Sequence, residues 1–201
     1  MPTAEQWRLV NELNLQSKPR RELAQGAVWL SLEAMDKVRM QFRRIRADVS
    51  EWHGITYDDN SIGTPDWYRN RTEWTTALNS LYGDIHFLLI SLRHLDLSFR
   101  MLRRHLPQEL ELEAVRAKHN EFLKGVGGLR NHLEHIDERL EAGVSDFGSV
   151  NIDGTSFEFD NDRIEIGPEQ EARVEEFFRD LLTACRAIAD RQREGTVGGK
   201  P

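Results

Sequence analysis

The chain carries a single cysteine, Cys185, in 201 residues. One thiol closes no internal disulfide, and its apolar neighbours at helical spacing predict a buried structural side chain rather than a nucleophile. No apolar run approaches the ~18 residues of a membrane span. Met1–Trp7 has neither the basic start nor the apolar body of a signal peptide, so a cytoplasmic location without membrane contact is expected. There is no internal repeat and no glycine-rich loop of Walker or Rossmann type, which leaves the chain without those nucleotide sites. Basic residues are outnumbered 27 to 34, and the net charge of -7 weighs against a dedicated nucleic-acid binder.

That average hides an asymmetry. Five basic residues (Lys37, Arg39, Arg43, Arg44, Arg46) and no acid lie between positions 37 and 46, and Arg93, Arg100, Arg103 and Arg104 form a second cluster. Between Glu134 and Asp180, fifteen acids face four arginines, a net of -11. A phosphate-bearing partner would have to approach the two basic clusters.

Hydrophobic residues make up 39% of the chain, enough for a real core, and their spacing is mostly helical. Thr3-Ala-Glu-Gln6 has the spacing of a capping box and predicts a short leading helix. Ser17-Lys-Pro-Arg opens a longer helix whose apolar face (Val28, Leu32, Met35, Val38, Phe42, Ile45) runs to about Ala47. Residues 48–64 read as a loop carrying Trp52, His53 and Tyr57, closed by the N-cap Thr64 and Pro65. The strongest helix follows: Leu78, Leu81, Ile85, Leu88, Leu92, Leu95, Phe99, Leu102 and Leu106 alternate at three and four, a coiled-coil-type seam. Tyr82 and Leu89 widen it toward a second neighbour.

After Pro107 the phase of Leu112, Val115, His119, Phe122, Val126, Leu129, Leu133, Ile136 and Leu140 passes unchanged through Gly125–Gly128. It predicts one long helix over 108–142, weakened or kinked at the glycines. His119 falls in a core slot and reads as a hydrogen-bonded buried histidine. From about 148 to 166 the period becomes two, with turns at Asp153-Gly154 and Asp160–Asp162: a small β-hairpin or meander whose apolar side must rest on the helices. Gly167-Pro168 opens the last helix, and residues 195–201 read as a disordered tail. The expected fold is mainly α, an up-and-down four-helix bundle with a short leading helix and a meander before the last helix, in one domain spanning 1–194.

Chemistry is densest in Leu129–Leu140. With Leu129, Leu133, Ile136 and Leu140 turned inward, Asn131, His135 and Glu138 fall within roughly 60° of one another on the outer face, with Arg130 and Glu134 on one flank. Gly128, one turn earlier on that face, permits close approach of another backbone. The spacing Arg130-Asn131-x-x-x-His135 resembles the Arg-x(4–6)-His motif of the HEPN superfamily, in which a polar residue commonly follows the arginine. The resemblance covers that motif and the general helical architecture.

It implies a metal-independent endoribonuclease of toxin or defence type, homodimeric, with Arg130, Asn131 and His135 as catalytic residues, RNA as substrate and an antitoxin as a protein partner; no cofactor and no metal are implied. The chemistry fits the side chains. An imidazole titrating near neutrality can take the 2′-hydroxyl proton or protonate the leaving 5′-oxygen. A guanidinium forks onto the phosphorane oxygens. Arg130 and His135 stand about 140° apart on one helix, so a two-fold pairing of copies would be needed to gather them.

Two departures stand out: Asp137 sits where some nucleotide-modified HEPN toxins carry tyrosine, and Glu134, Asp137, Glu138 and Glu141 would repel phosphate. The alternative within the same resemblance is a non-catalytic dimerisation or protein-interaction module. A third reading is a metal- or small-ligand-binding bundle using His132, His135 and Glu138 with His86, His94 and His119, although the repeated Glu-x-x-His pairs of di-iron bundles are missing.

Overall fold

The computed structural model describes residues 18–55, 62–106, 109–126, 149–150, 154–159 and 162–197. These form α1 (Lys18–Gly54), α2 (Pro65–His105), α3 (Leu110–Lys118), the strands β1 (Ser149–Val150), β2 (Ser156–Phe159) and β3 (Asp162–Glu165), and α4 (Pro168–Val197). The protein is mainly helical with one small antiparallel sheet. The expected leading helix lies outside the described residues.

The stripe that begins at Val28 in α1 is buried through Ile45. It does not stop at Ala47. Val49 and Trp52 follow Ile45 at spacings of four and three and pack on the core, Trp52 meeting Trp74 of α2 at 6.3 Å between ring centroids. The loop expected from Asp48 is therefore helix as far as Gly54, because the apolar period outlasts the polar residues around it. Thr64 caps α2 as predicted, its Oγ1 accepting the Trp67 N–H at 3.2 Å, with Pro65 in the first turn.

Helices α1 and α2 are antiparallel partners. Ser31 meets Ser98 (2.7 Å between hydroxyl oxygens), Arg44 meets Asp84, Ser80 meets Asp48 and Trp52 meets Trp74. The α2 number falls as the α1 number rises. Each leucine or phenylalanine fully buried in this seam is worth about 1.5–3 kcal/mol.

Helix α3 ends at Lys118. His119 leaves helical geometry (φ −106°, ψ 20°), and helix resumes over 120–126. Hydrogen bonds still bridge the turn, from the His119 N–H to the Val115 carbonyl (3.0 Å) and from the Leu123 N–H to the His119 carbonyl (2.9 Å). The break thus comes at His119 and not at Gly125, which is helical. The expected continuation over 127–142 lies outside the described residues. His119 turns in to reach Asp180 at 2.8 Å and sets its ring edge-on to Phe177.

The meander is a three-stranded antiparallel sheet in the order β1-β2-β3, with Phe157 opposite Ile164. Phe157, Ile164 and Ile166 are buried. Phe157 meets Tyr82 of α2 edge-on at 5.8 Å, so the sheet rests on the helices through its apolar side. Gly154 has φ +68°, and a Cβ there would sit 2.5 Å from the Val49 methyl of α1; Asp153 of the expected turn lies outside the described residues. Helix α4 packs Val174, Phe177, Phe178, Leu181, Cys185 and Ile188 into a core shared by α1, α2, α3, residues 120–126, β2 and β3. It runs to Val197, past the expected tail start at Gly195. The buried Cys185 thiol has its pKa pushed up to about 12 by burial, as befits a structural side chain.

Gly154→Ala should cost about 1–3 kcal/mol, because it adds both a positive-φ penalty and an overlap with Val49. Urea unfolding should show a lowered midpoint with an unchanged slope; an unaltered midpoint would mean that the turn does not bear on α1.

Candidate functional site

The basic cluster of α1 is occupied from within the chain. Arg39 forks onto Glu175 of α4 through Nε and Nη2 at 2.6 and 2.7 Å, and its guanidinium lies 5.5 Å from the Phe178 ring centroid. The Glu175 hydrogen bonds hold the Arg39 pKa above its ordinary value. Arg46 pairs with Glu171, Arg44 with Asp84 (3.0 Å) and Lys37 with Glu33 (2.8 Å), while Arg43 donates to the Arg39 carbonyl. In the second cluster Arg100 pairs with Asp96 and Arg103 with Glu113. Arg39 and Arg46 thus answer the acid-rich stretch across the α1–α4 contact, while the other pairs join α1 to α2, α2 to α3, or neighbouring turns of one helix.

A cleft of about 480 Å³ lies between α3, residues 120–126, β3 and α4. Phe122, Val126 and Ile164 supply its apolar lining, and charges of both signs border it. At one end Lys118 Nζ stands 2.8 Å from both Glu176 and Asp180, and Asp180 also takes His119 Nε2 at 2.8 Å. Lys118, then His119, hold the Asp180 carboxyl below its usual range. His119 is only 7% exposed and is enclosed by this pairing and by Phe177. The described lining includes no serine, threonine or cysteine to serve as a nucleophile. The His119–Asp180 pair is a tie between α3 and α4. Among the described residues Arg173 lines this cleft with no carboxylate paired to it, and it is the one lining cation free to meet a ligand.

A second polar cluster lies in the α1–α2 seam. Asp84 is 3% exposed, with Arg44 Nε 3.0 Å from its Oδ2. Asp48 faces it, receives the Ser80 hydroxyl at 3.3 Å, and has its pKa raised by burial first and by its hydrogen bond to Asp84 second. Two carboxyls on one hydrogen bond hold a proton more tightly than either alone.

The sequence-predicted site residues Arg130, Asn131 and His135 lie outside the described residues, as do His132 and Glu138 of the metal reading. The remaining histidines of that reading have separate surroundings: His119 is bound to Asp180, His86 stacks edge-on with Phe87, and His94 is exposed. No group of three or more potential metal ligands comes together among the described residues.

The sequence reading missed a second seam on the back of the α1–α2 pair. On α2, Gly83, Phe87, Ile90, His94, Leu97, Met101 and Arg104 follow one another at four and three; on α1, Leu23, Gly26, Leu30, Glu33, Lys37, Met40 and Arg44 do the same. Leu23, Leu30, Met40, Phe87 and Leu97 in these rows are 39–54% exposed. The same three-and-four count that identified the buried face would have found this one.

Asp180→Ala should destabilise the protein by about 1–3 kcal/mol at pH 7, because it leaves the buried His119 nitrogen unmatched. Asp180 has a depressed folded-state pKa, so its contribution is present above the ordinary carboxylate range and lost as pH falls through the folded value. The difference between the two proteins in melting experiments should therefore shrink toward pH 3. Asp48 has the opposite sign: its raised pKa makes the contact most favourable at low pH and weakest once both carboxyls ionise. Asp48→Asn should raise stability at pH 7 by up to about 1 kcal/mol and lose that advantage near pH 4; a loss of stability at both pH values would refute the shared-proton contact.

Compared with protein-family models, with curated proteins and with solved structures, the chain matches none.

Proposed function

We propose that this protein is a HEPN-like helical interaction module: a cytoplasmic, homodimeric, up-and-down four-helix bundle that works by presenting a surface rather than by catalysis. The observation that carries the reading is the internal pairing of α1. Lys37, Arg39, Arg44 and Arg46 each have a carboxylate partner, Glu33, Glu175, Asp84 and Glu171 in turn. An RNA-binding surface needs cations that can exchange counter-ions for phosphates. At Arg39, Arg44 and Arg46 a phosphate would have to displace carboxylates of neighbouring helices, and at Lys37 one within α1. The open back of the same helix pair offers leucine, methionine and phenylalanine instead, a composition suited to protein contacts.

The second reading, a metal-independent ribonuclease, is favoured by one observation: the Arg130-Asn131-x-x-x-His135 spacing of the HEPN motif. In that case Arg130 stabilises phosphorane charge, His135 moves the proton and Asn131 is the polar residue that follows the arginine, with the groups gathered from two copies and with an antitoxin as the protein partner.

Incubation of a mixed RNA pool with the folded protein in EDTA decides between the two. The module reading expects no cleavage, and the same blank result from Arg130→Ala and His135→Ala. Fragments ending in 2′,3′-cyclic phosphate, lost in both variants while their circular dichroism is unchanged, would replace it with the ribonuclease.

A further inference from the structure

The rows on the back of α1 and α2 form a coiled-coil-type seam with no helix of the described chain laid over it. We propose that its occupant is the same seam of a second copy, packed about a two-fold axis parallel to the helices so that α1 of each copy lies over α2 of the other. This rests on the interaction-module reading and names its partner.

Three features select a second copy. The first is the level of the apolar groups. Ser31–Ser98 and Arg44–Asp84 fix the register of the pair, placing Leu30 beside Leu97 and Met40 beside Phe87 within one copy. A two-fold axis parallel to the helices keeps those levels. Leu30 of one copy then faces Leu97 of the other, Met40 faces Phe87, and every helix has antiparallel neighbours, as in an up-and-down bundle.

The second is charge. Lys37 is paired with Glu33 at 2.8 Å and Arg44 with Asp84 at 3.0 Å, so the charges in the α1 row are already balanced. An acidic or basic partner gains little on that row, whereas a second copy brings the same paired charges.

The third is extent. From Leu23 to Arg44 the α1 row runs about 32 Å at 1.5 Å per residue, and two helices side by side are roughly 20 Å wide. That gives about 600 Å² of projected area per copy and about 1,200 Å² for the pair, which reaches the range of stable interfaces. Five side chains 39–54% exposed have apolar area left to bury.

Light scattering coupled to size exclusion, on the full chain at micromolar concentration, tests this. The wild type should run at twice the 23.4 kDa chain mass. Leu30→Glu and Phe87→Glu should each halve it, since both side chains are exposed in the single copy and their replacement leaves the core intact. Leu110→Glu, at an exposed leucine on α3 away from the seam, should stay dimeric. Circular dichroism must show the same helix content in all four proteins. A monomeric wild type would overturn the proposal, and so would a dimer indifferent to both seam variants. The outcome is separable from the module reading, because RNA cleavage by a protein that dimerises through this seam would refute the module and leave the interface standing.

Discussion

The fold depends on the antiparallel register of α1 and α2. A helix of 37 residues and one of 41 can slide past each other by a heptad, two turns, at small cost if only leucines meet, since leucine seams repeat every seven residues. Here the seam carries polar residues at particular levels: Ser31 with Ser98, Arg44 with Asp84, and Asp48 with Ser80. A slip of one turn would leave Asp84 buried without a cation, and an unmatched buried carboxylate costs several kcal/mol. The apolar residues hold the pair together and the polar ones say where. Everything else is laid on this pair: the sheet through Phe157 on Tyr82 and Gly154 on Val49, and α4 through Phe177 on Phe99.

Charge then orients α4. Arg39 and Arg46 are seven apart on α1, Glu171 and Glu175 four apart on α4, and the two rows meet. Lys118 and His119 make the equivalent contact from α3 to Asp180, and Arg191 returns to Glu109 and Glu111. These pairs are mostly half-exposed, so each adds little free energy. Their value is directional. A helix packed by leucines alone could rotate by tens of degrees, and each rotation would separate these opposite charges. This also explains why the blocks of opposite sign in the sequence need not signal a nucleic acid.

Much of the architecture was legible. The run from Leu78 to Leu106 is long enough that its period admits no other structure, and Thr64-Pro65 marks its boundary by local backbone chemistry alone. The end of α1 was not legible, because Asp48, Glu51 and His53 dilute a stripe that Val49 and Trp52 continue. The break at His119 was not legible either: the apolar phase runs through it undisturbed, and only the tertiary partner, Asp180 of α4, pulls the ring inward. The fork from Arg39 to Glu175 joins positions 136 apart, and no local pattern encodes it. The motif at Arg130 and His135 is legible as spacing, yet spacing fixes only an angle around a helix. Catalysis requires the distance between those groups and their counterparts, which a one-dimensional pattern does not contain.

The back seam follows from a mismatch of lengths. Helix α2 is about 60 Å long and α4 about 45 Å at the standard rise, while α3 has nine residues. Among the described residues, α3, residues 120–126, α4 and three short strands cover one side of the α1–α2 pair, and no described element lies over the other. A solvated side would ordinarily be charged and polar, as the outer surface of α4 is with Arg173, Arg179, Arg186 and Asp190. On α2 the uncovered row instead holds Phe87 and Leu97, with Ile90 and Met101 partly buried in it, and on α1 it holds Leu23, Leu30 and Met40. Leaving these in water forgoes about 25 cal/mol for each Å² of apolar surface. A chain that carries such rows at coiled-coil spacing on both helices, with their levels already matched by the buried register, has the geometry of half a larger bundle. The polar pairs that fix α1 against α2 thereby also fix the pattern offered to the second copy.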